Sequence, residues 1–419
     1  MNTRIGSVIA LAALTLSSAG TPWGVRFEAH GAEVVKLTAE NWDDYAPTGK
    51  EADCIYGDHV LRNDLITAVV GQAIATRHAN MTTQHVGGAV IDLVFRNRSQ
   101  DQLSCYYPAG PNWRLAGPVA WPAELQARAG AAQLAFEATH EGEPSETAPR
   151  KAIVAYELAD GDSFLRITTL IPNDQQQRAD RPWQDAIRAD GEFKTGYDAG
   201  LNLWWCYDEH WRGAYGLTAD DVPLTPLDGE DRPFRFRYGG EGDGITTSAG
   251  KPQVIGRRLY PAADMFSVLA AAGQHQDREL AEVNVLAVDD DGPIADAIIE
   301  AHDDGQFAGQ GRTDHEGQLS VRVPPGEYRW TVKAIGRKTM SVEKNVAAGE
   351  ASVDFNYGDA RPAHVVGTVV DEDGQPIACK AAFFGRNVKD PNFGPDSAIH
   401  GVRNLQYSSD GRFRAAVLP

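Results

Sequence analysis

The chain has 419 residues and lacks several compact motifs that carry chemistry. Its eleven histidines form no His-x-His or His-Glu-x-x-His pair, so the spacing of a hydrolytic zinc site is missing. Its four cysteines, Cys54, Cys105, Cys206 and Cys379, contain no Cys-x-x-Cys, which excludes a zinc knuckle and a thioredoxin motif. No Gly-x-Ser-x-Gly elbow occurs, so an α/β-hydrolase is disfavoured. Neither a P-loop nor a Rossmann fingerprint occurs. Gly240-Glu-Gly-Asp-Gly244 is rich in glycine, but no strand–helix pair frames it and its acids would repel phosphate. No cofactor or metal is therefore expected. An excess of basic charge is also missing. Asp and Glu number 58 against 39 Lys and Arg, a net charge of −19, which argues against nucleic acid and anionic membranes as partners.

Long apolar runs are scarce as well. Residues 5–16 form one, too short to span a bilayer comfortably. It follows the basic start Met1-Asn-Thr-Arg4 and precedes Ser17, Ser18, Ala19 and Gly20. This is the pattern of a secretory signal peptide, expected within residues 1–31, and it places the protein outside the cytoplasm. Export permits disulfides, but four cysteines in so long a chain are not a disulfide scaffold, and they are read as free and buried.

What is present is alternation. Residues 60–70 read as two short strands around Asn63-Asp64, and residues 86–95 as another. Residues 153–158 and 164–171 flank Asp160-Gly161-Asp162, a strong hairpin signal. Residues 200–207 form a further strand, and residues 265–271 are expected to close the unit. Only residues 121–136 carry many helix formers, with Gly130 weakening them. Residues 33–274 are thus expected to form one large antiparallel sandwich.

A polar stretch at 274–282 precedes a smaller unit, residues 283–357. There Leu319, Val321 and Val323 share one parity, and Tyr328, Trp330 and Val332 alternate after Pro325-Gly326, which reads as a hairpin. Residues 365–419 repeat this unit. Asp371-Glu-Asp-Gly-Gln-Pro-Ile-Ala378 matches Asp289-Asp-Asp-Gly-Pro-Ile-Ala295, and residues 409–419 match 314–324 at an offset of 95 (419 − 324). The first copy continues past its match with further strands. The second is therefore read as incomplete and the chain as a fragment, or as one whose missing strands come from elsewhere.

These residues carry resemblances. The Asp-x-Asp-Gly…Pro-Ile-Ala turn, followed by Gly-x-Leu or Gly-x-Phe and Pro-Gly-x-Tyr, resembles carboxypeptidase regulatory-like domains. That implies small prealbumin-like, Ig-like sandwiches with a stability or binding role. The paired strands around Asp160-Gly161 resemble those of galactose-mutarotase-like supersandwich domains. The opening Glu51-Ala-Asp-Cys-Ile-Tyr-Gly-Asp-His-Val-Leu-Arg-Asn-Asp64, the segment from Asn80 to Asp92 and the tandem sandwiches are similar to the N-terminal half of exported CehA/McbA-type metallohydrolases of the PHP superfamily. That resemblance implies an accessory region ahead of a metal-binding domain, and no ligand motif of such a domain occurs here. The expected fold class is all-β, a supersandwich-like domain followed by two small sandwiches.

Two constellations are candidate sites. In the first, Trp204 and Trp205 sit on opposite strand faces beside Glu209, His210 and Trp211. Trp205 is read as the core residue. Trp204 faces a second layer or an open surface, where a flat ring beside amides and acids suits sugar stacking. Burial of both faces between layers is the plainer alternative. The second joins Arg62, Asn63 and Asp64 with His78, Asn80 and His85 at strand ends, where ordinary turn chemistry is the competing explanation. The acidic turns at Asp289 and Asp371 supply too few carboxylates for a convincing calcium loop. Three functional readings remain: a binding or scaffolding region for polysaccharide or cell-surface glycan, attached to a downstream catalytic domain; a carbohydrate isomerase or lyase using His78, His85 or His210; and a purely structural surface protein.

Overall fold

A computed structural model describes residues 31–96, 98, 101–110, 112–141, 151–172, 183–189, 193–208, 212–227, 233–239, 251–382, 396–397, 402–403 and 405–417. The expected signal peptide lies almost wholly outside the described residues. The fold is all-β, with one substantial helix among the described residues.

The large unit packs two eight-stranded antiparallel sheets face to face. The first runs Glu33–Lys36, His59–Arg62, Ile66–Val70, Val90–Phe95, Leu103–Tyr107, Gln184–Ala189, Phe234–Tyr238, Leu224–Pro226. The second runs Lys194–Asp198, Leu203–Asp208, Gly213–Ala219, Gln253–Ala262, Leu165–Ile171, Lys151–Leu158, Ala132–His140, Trp113–Val119. Alternate residues of both, among them Leu61, Tyr106, Phe136, Ile167 and Leu259, fill the space between. Burying such side chains contributes about 1.5–3 kcal/mol each. Lys151–Leu158 and Leu165–Ile171 pair as the Asp-Gly turn requires, with Gly161 at φ 76°.

Within this apolar slab lies one polar knot. Arg257 and Asp185, both fully buried and on opposite sheets, form an ion pair of 2.9 Å. Asp185 also accepts from Tyr106 and Tyr238 hydroxyls and from Trp183 Nε1. Arg257 spends its remaining donors on Thr169 Oγ1 and the carbonyls of Ile255 and Pro108. A buried charge pair is tolerated because every donor and acceptor is used.

Three expectations within this unit are corrected. Residues 265–271 are helical rather than a strand, within the helix Met265–His275. Asp264 caps it by accepting from Ser267 N at 2.8 Å, and Met265, Val268 and Ala272 recur at helical spacing against Leu203 and Ala214. Residues 121–131 are loop, and Ala132–His140 is a strand. Ala132, Leu134 and Phe136 share its core face, so period two prevails over helix propensity. Trp204 lies inside the sandwich on Phe236, while the half-buried Trp205 faces outward against Phe307. The two rings have exchanged their expected faces.

The first small unit is a sandwich of two four-stranded sheets. Ala281–Asp289 pairs with Gln318–Val323 and, in parallel, with Glu350–Asn356. The opposing sheet runs Gln306–Arg312, Ile298–Asp303, Gly326–Lys333, Met340–Val346. Gln318–Val323 and Gly326–Lys333 are therefore not a hairpin. Pro324 and Pro325 have no N–H to continue a ladder, and the chain crosses there from one sheet to the other. Val321, Val323, Tyr328, Trp330 and Val332 still meet in one core, from opposite sides. Phe266 of the helix stacks on Trp330 at 5.8 Å and so ties this core to the large unit. Gly309 leaves room for that ring: a Cβ there would run into Phe266.

The last unit repeats two backbone bonds that flank the opening turn. Ile294 N donates to Ala287 O at 2.9 Å and Ile377 N to Val369 O at 3.1 Å. Ala287 N donates to Gly317 O, as Val369 N does to Gly411 O, both at 2.8 Å. Val283 pairs with Val321 and Val365 with Ala415, so the structural offset of the later match is 94 (415 − 321) rather than 95. None of the four cysteines is in a disulfide; Cys54, Cys105 and Cys206 are buried, and Cys379 is half-buried.

Candidate functional site

The site is built by residues 71–89, a loop that leaves the first sheet and returns. Arg77 anchors it. The guanidinium is buried, holds Asp58 through Nε and Nη2 at 3.1 and 2.7 Å, and donates to Asp53 O at 2.7 Å. Val86 N donates to Arg77 O at 3.0 Å, which closes the loop. Asn80 Oδ1 accepts from Thr82 N and Thr83 N and makes the tight turn at its tip. Closure sets two histidines side by side. His85 N donates to His78 Nδ1 at 3.0 Å, and the rings lie 5.1 Å apart, edge to face. His85 sits at φ 56°, uncommon for a residue with a Cβ. Tyr107 OH donates to Gln84 O at 2.8 Å and pins the loop to the sheet.

The edge strand Trp113–Val119 supplies the other half. Trp113 is opposite His140, with rings 5.3 Å apart, and its indole also leans on Trp183 at 4.7 Å. Arg114 Nη2 and Glu141 Oε2 form an accessible ion pair of 2.7 Å. Burial, then the charges of Arg114 and His78, hold the His85 imidazole below its usual pKa, with Glu141 opposing. Its enclosed Nδ1 has no hydrogen-bond partner. His85 is thus neutral at pH 7, with one ring nitrogen donating and the other accepting. Aromatic edges, a guanidinium–carboxylate fork and a neutral imidazole together suit a ligand with both C–H faces and hydroxyls.

Among the described residues, the structure brings His78 and His85 together, with Asn80 at the tip of the same loop. Arg62 is occupied elsewhere, bound to Glu33 at 2.7 Å and stacked 3.5 Å over the Tyr45 ring. Asn63 is a buried structural clip. Its Nδ2 donates to Ala159 O and Asp162 O, both at 2.8 Å, and its Oδ1 accepts from Leu65 N and Ile66 N. Trp204 is 4% exposed, and its ring is taken up by Phe234 and Phe236. Glu209, His210 and Trp211 lie outside the described residues. Trp113, Arg114, His140 and Glu141 escaped the sequence reading, because nothing local announces that residues 113 and 140 are strand partners. The acidic turns are closed by their own backbone: Asp289 Oδ1 accepts from Asp291 N, and Asp371 Oδ1 from Asp373 N and Gln375 N. Among the described residues, no three His, Cys, Asp or Glu side chains converge as metal ligands, and no helix is long and apolar enough to cross a membrane.

No family model matches the chain, and no curated protein does. Solved structures give distant likenesses. A TPR-domain containing protein from Parabacteroides distasonis shares 12% identity over 49% of this chain and 47% of its own, with a TM-score of 0.33. A polysaccharide lyase shares 10% over 69% and 47%, with a TM-score of 0.28. A galactose mutarotase-like protein from Lactobacillus casei shares 12% over 49% and 100%, with a TM-score of 0.25. The chain spans about half the length of the first two. At these scores the likeness says nothing about activity.

Proposed function

We propose that this chain is an exported glycan-binding region whose site is the edge formed by His85, Trp113, Arg114, His140 and Glu141. The observation that carries the reading is one strand pair that bears the Trp113–His140 ring pair and, on the alternate side chains, the accessible Arg114–Glu141 fork. Rings of this kind cover the C–H faces of a sugar, and a fork of opposite charges both donates to and accepts from its hydroxyls. The small sandwiches, read as carboxypeptidase regulatory-like modules, then hold this region against a further, catalytic domain of the CehA/McbA type. Calorimetric titration with a panel of soluble polysaccharides tests the binding. The expected result is binding by the wild type, weakened about tenfold or more by Trp113→Ala and by Arg114→Gln. Absence of binding to every polysaccharide defeats the reading.

A second reading, a carbohydrate isomerase or lyase, is favoured by one observation: the paired imidazoles of His78 and His85. A neutral imidazole near a guanidinium is equipped to take a proton while the cation stabilises the resulting anion. It requires turnover by this chain that His85→Gln abolishes while binding survives. Binding without turnover rejects it.

A further inference from the structure

The outer face of the second sheet holds a cluster that the glycan edge does not use. Arg258 on Gln253–Ala262 lies directly opposite Arg166 on Leu165–Ile171, and on the other side opposite Thr218 on Gly213–Ala219. All three point away from the sandwich core. Two like charges side by side on adjacent strands oppose folding unless something compensates them.

Compensation is incomplete. Arg258 Nη1 reaches Asp220, but its Nε has no partner. Glu157 is the carboxylate beside Arg166, and it is already spent: it accepts from Arg128 N at 3.1 Å, from Arg128 Nε and from Gln133 Nε2 at 3.1 Å. Arg166 Nη1 is left 3.8 Å from it, beyond hydrogen-bond reach. Among the described residues Arg166 makes no hydrogen bond, although its side chain is 36% exposed and its Nε is enclosed. Two further donors sit at the same place. Thr218 Oγ1 and Tyr260 OH, at 4% and 1% exposure, lie against each other, and each hydroxyl can serve the other. Buried polar groups are rarely left without partners, and the two guanidinium groups, each with an Nε that meets no acceptor, form a one-sided set of donors. Phe164 borders the patch, with its ring 5.4 Å from Tyr260 and the Arg258 guanidinium 5.5 Å above it.

We propose that this patch binds a carboxylate-bearing sugar, its carboxylate on Arg166 and Arg258 and its C–H face on Phe164. A carboxylate supplies what the patch lacks, two acceptor oxygens in the plane of a guanidinium fork, with no donor to compete. The site is separate from the Trp113 edge, and the inference stands whether or not that edge binds glycans.

Titration of the full chain with D-glucuronate, with D-glucose as the uncharged control, tests this. Glucuronate is expected to bind, more weakly as salt is added. Arg166→Gln should weaken it about tenfold or more. The same variant should melt within about a degree or two of the wild type, because the like-charge contact it removes offsets the loose 3.8 Å pair with Glu157 and no hydrogen bond is lost. Arg329→Gln, on an exposed arginine of the small sandwich, should change neither quantity. The proposal is overturned if glucuronate does not bind, if glucose competes with it equally, or if Arg114→Gln rather than Arg166→Gln abolishes binding. A clear drop in melting temperature for Arg166→Gln would equally overturn it, since that marks a structural residue.

Discussion

Arg257 and Arg258 are neighbours on one strand and face opposite ways, and the two faces of that sheet treat arginine differently. Inside, Arg257 is wholly buried and all of its nitrogens are matched, by Asp185, Tyr106, Thr169 and two carbonyls. Outside, Arg258 is half matched, and its cross-strand neighbour Arg166 has only a loose 3.8 Å approach to Glu157. Burial cannot tell a structural arginine from a functional one. Hydrogen-bond accounting can, because a side chain kept for the fold has its partners in the fold.

Five variants sharpen or break this contrast. Arg257→Ala strands the Asp185 carboxylate in the core and should cost about 3–5 kcal/mol of unfolding free energy in urea titration. The double variant Arg257→Met/Asp185→Leu should recover much of that loss, and failure to do so would mean that the knot is not the unit drawn here. Asn63→Ala removes a satisfied clip and should cost about 1–3 kcal/mol, read the same way.

Asp92 and Asp101 lie between these extremes. Both are fully buried, and their carboxyl groups lie against each other. Burial, with the neighbouring Asp53 and Asp58, pushes Asp92 up to about 7, and burial plus Asp92 raises Asp101 well above the usual carboxylate range. In the unfolded chain both ionise near pH ~4. The folded state therefore holds more protons between about pH 4 and 7, and stability falls as pH rises through that window. Asp92→Asn should flatten this dependence and add on the order of 1 kcal/mol at pH 8. A pH profile as steep as that of the wild type would contradict the shared burial of the pair. The smallest effect belongs to Arg166→Gln, within about 0.5 kcal/mol of the wild type.

Much of the fold was legible because side-chain parity is a local property. The Asp160-Gly161 hairpin, the strands on either side of Asn63 and the repeated Asp-x-Asp-Gly turns can all be read from spacing alone. Parity says which side chains share a face; it does not say which sheet a strand joins. Gln318–Val323 and Gly326–Lys333 thus looked like one hairpin when they are opposite walls of one core. Trp204 and Trp205 lie in a run covered on both faces, by the first sheet and by Phe307, so no polar alternation fixed their directions. The helix at 265–275 is a short apolar run, which period alone does not separate from a strand. The candidate site was half legible. His78 and His85 are close in sequence, but their meeting depends on Arg77 reaching Asp58, 19 residues away. Trp113 and His140 join them only through strand pairing.

The most direct test of the central claim, that the His85–Trp113 edge is where this protein meets glycan, is carbon-13 NMR of histidine-labelled protein titrated with a polysaccharide that binds. The account predicts that His78, His85 and His140 shift together and saturably, while His59 and the distant His302 stay still. Binding that leaves those three signals unmoved would contradict it.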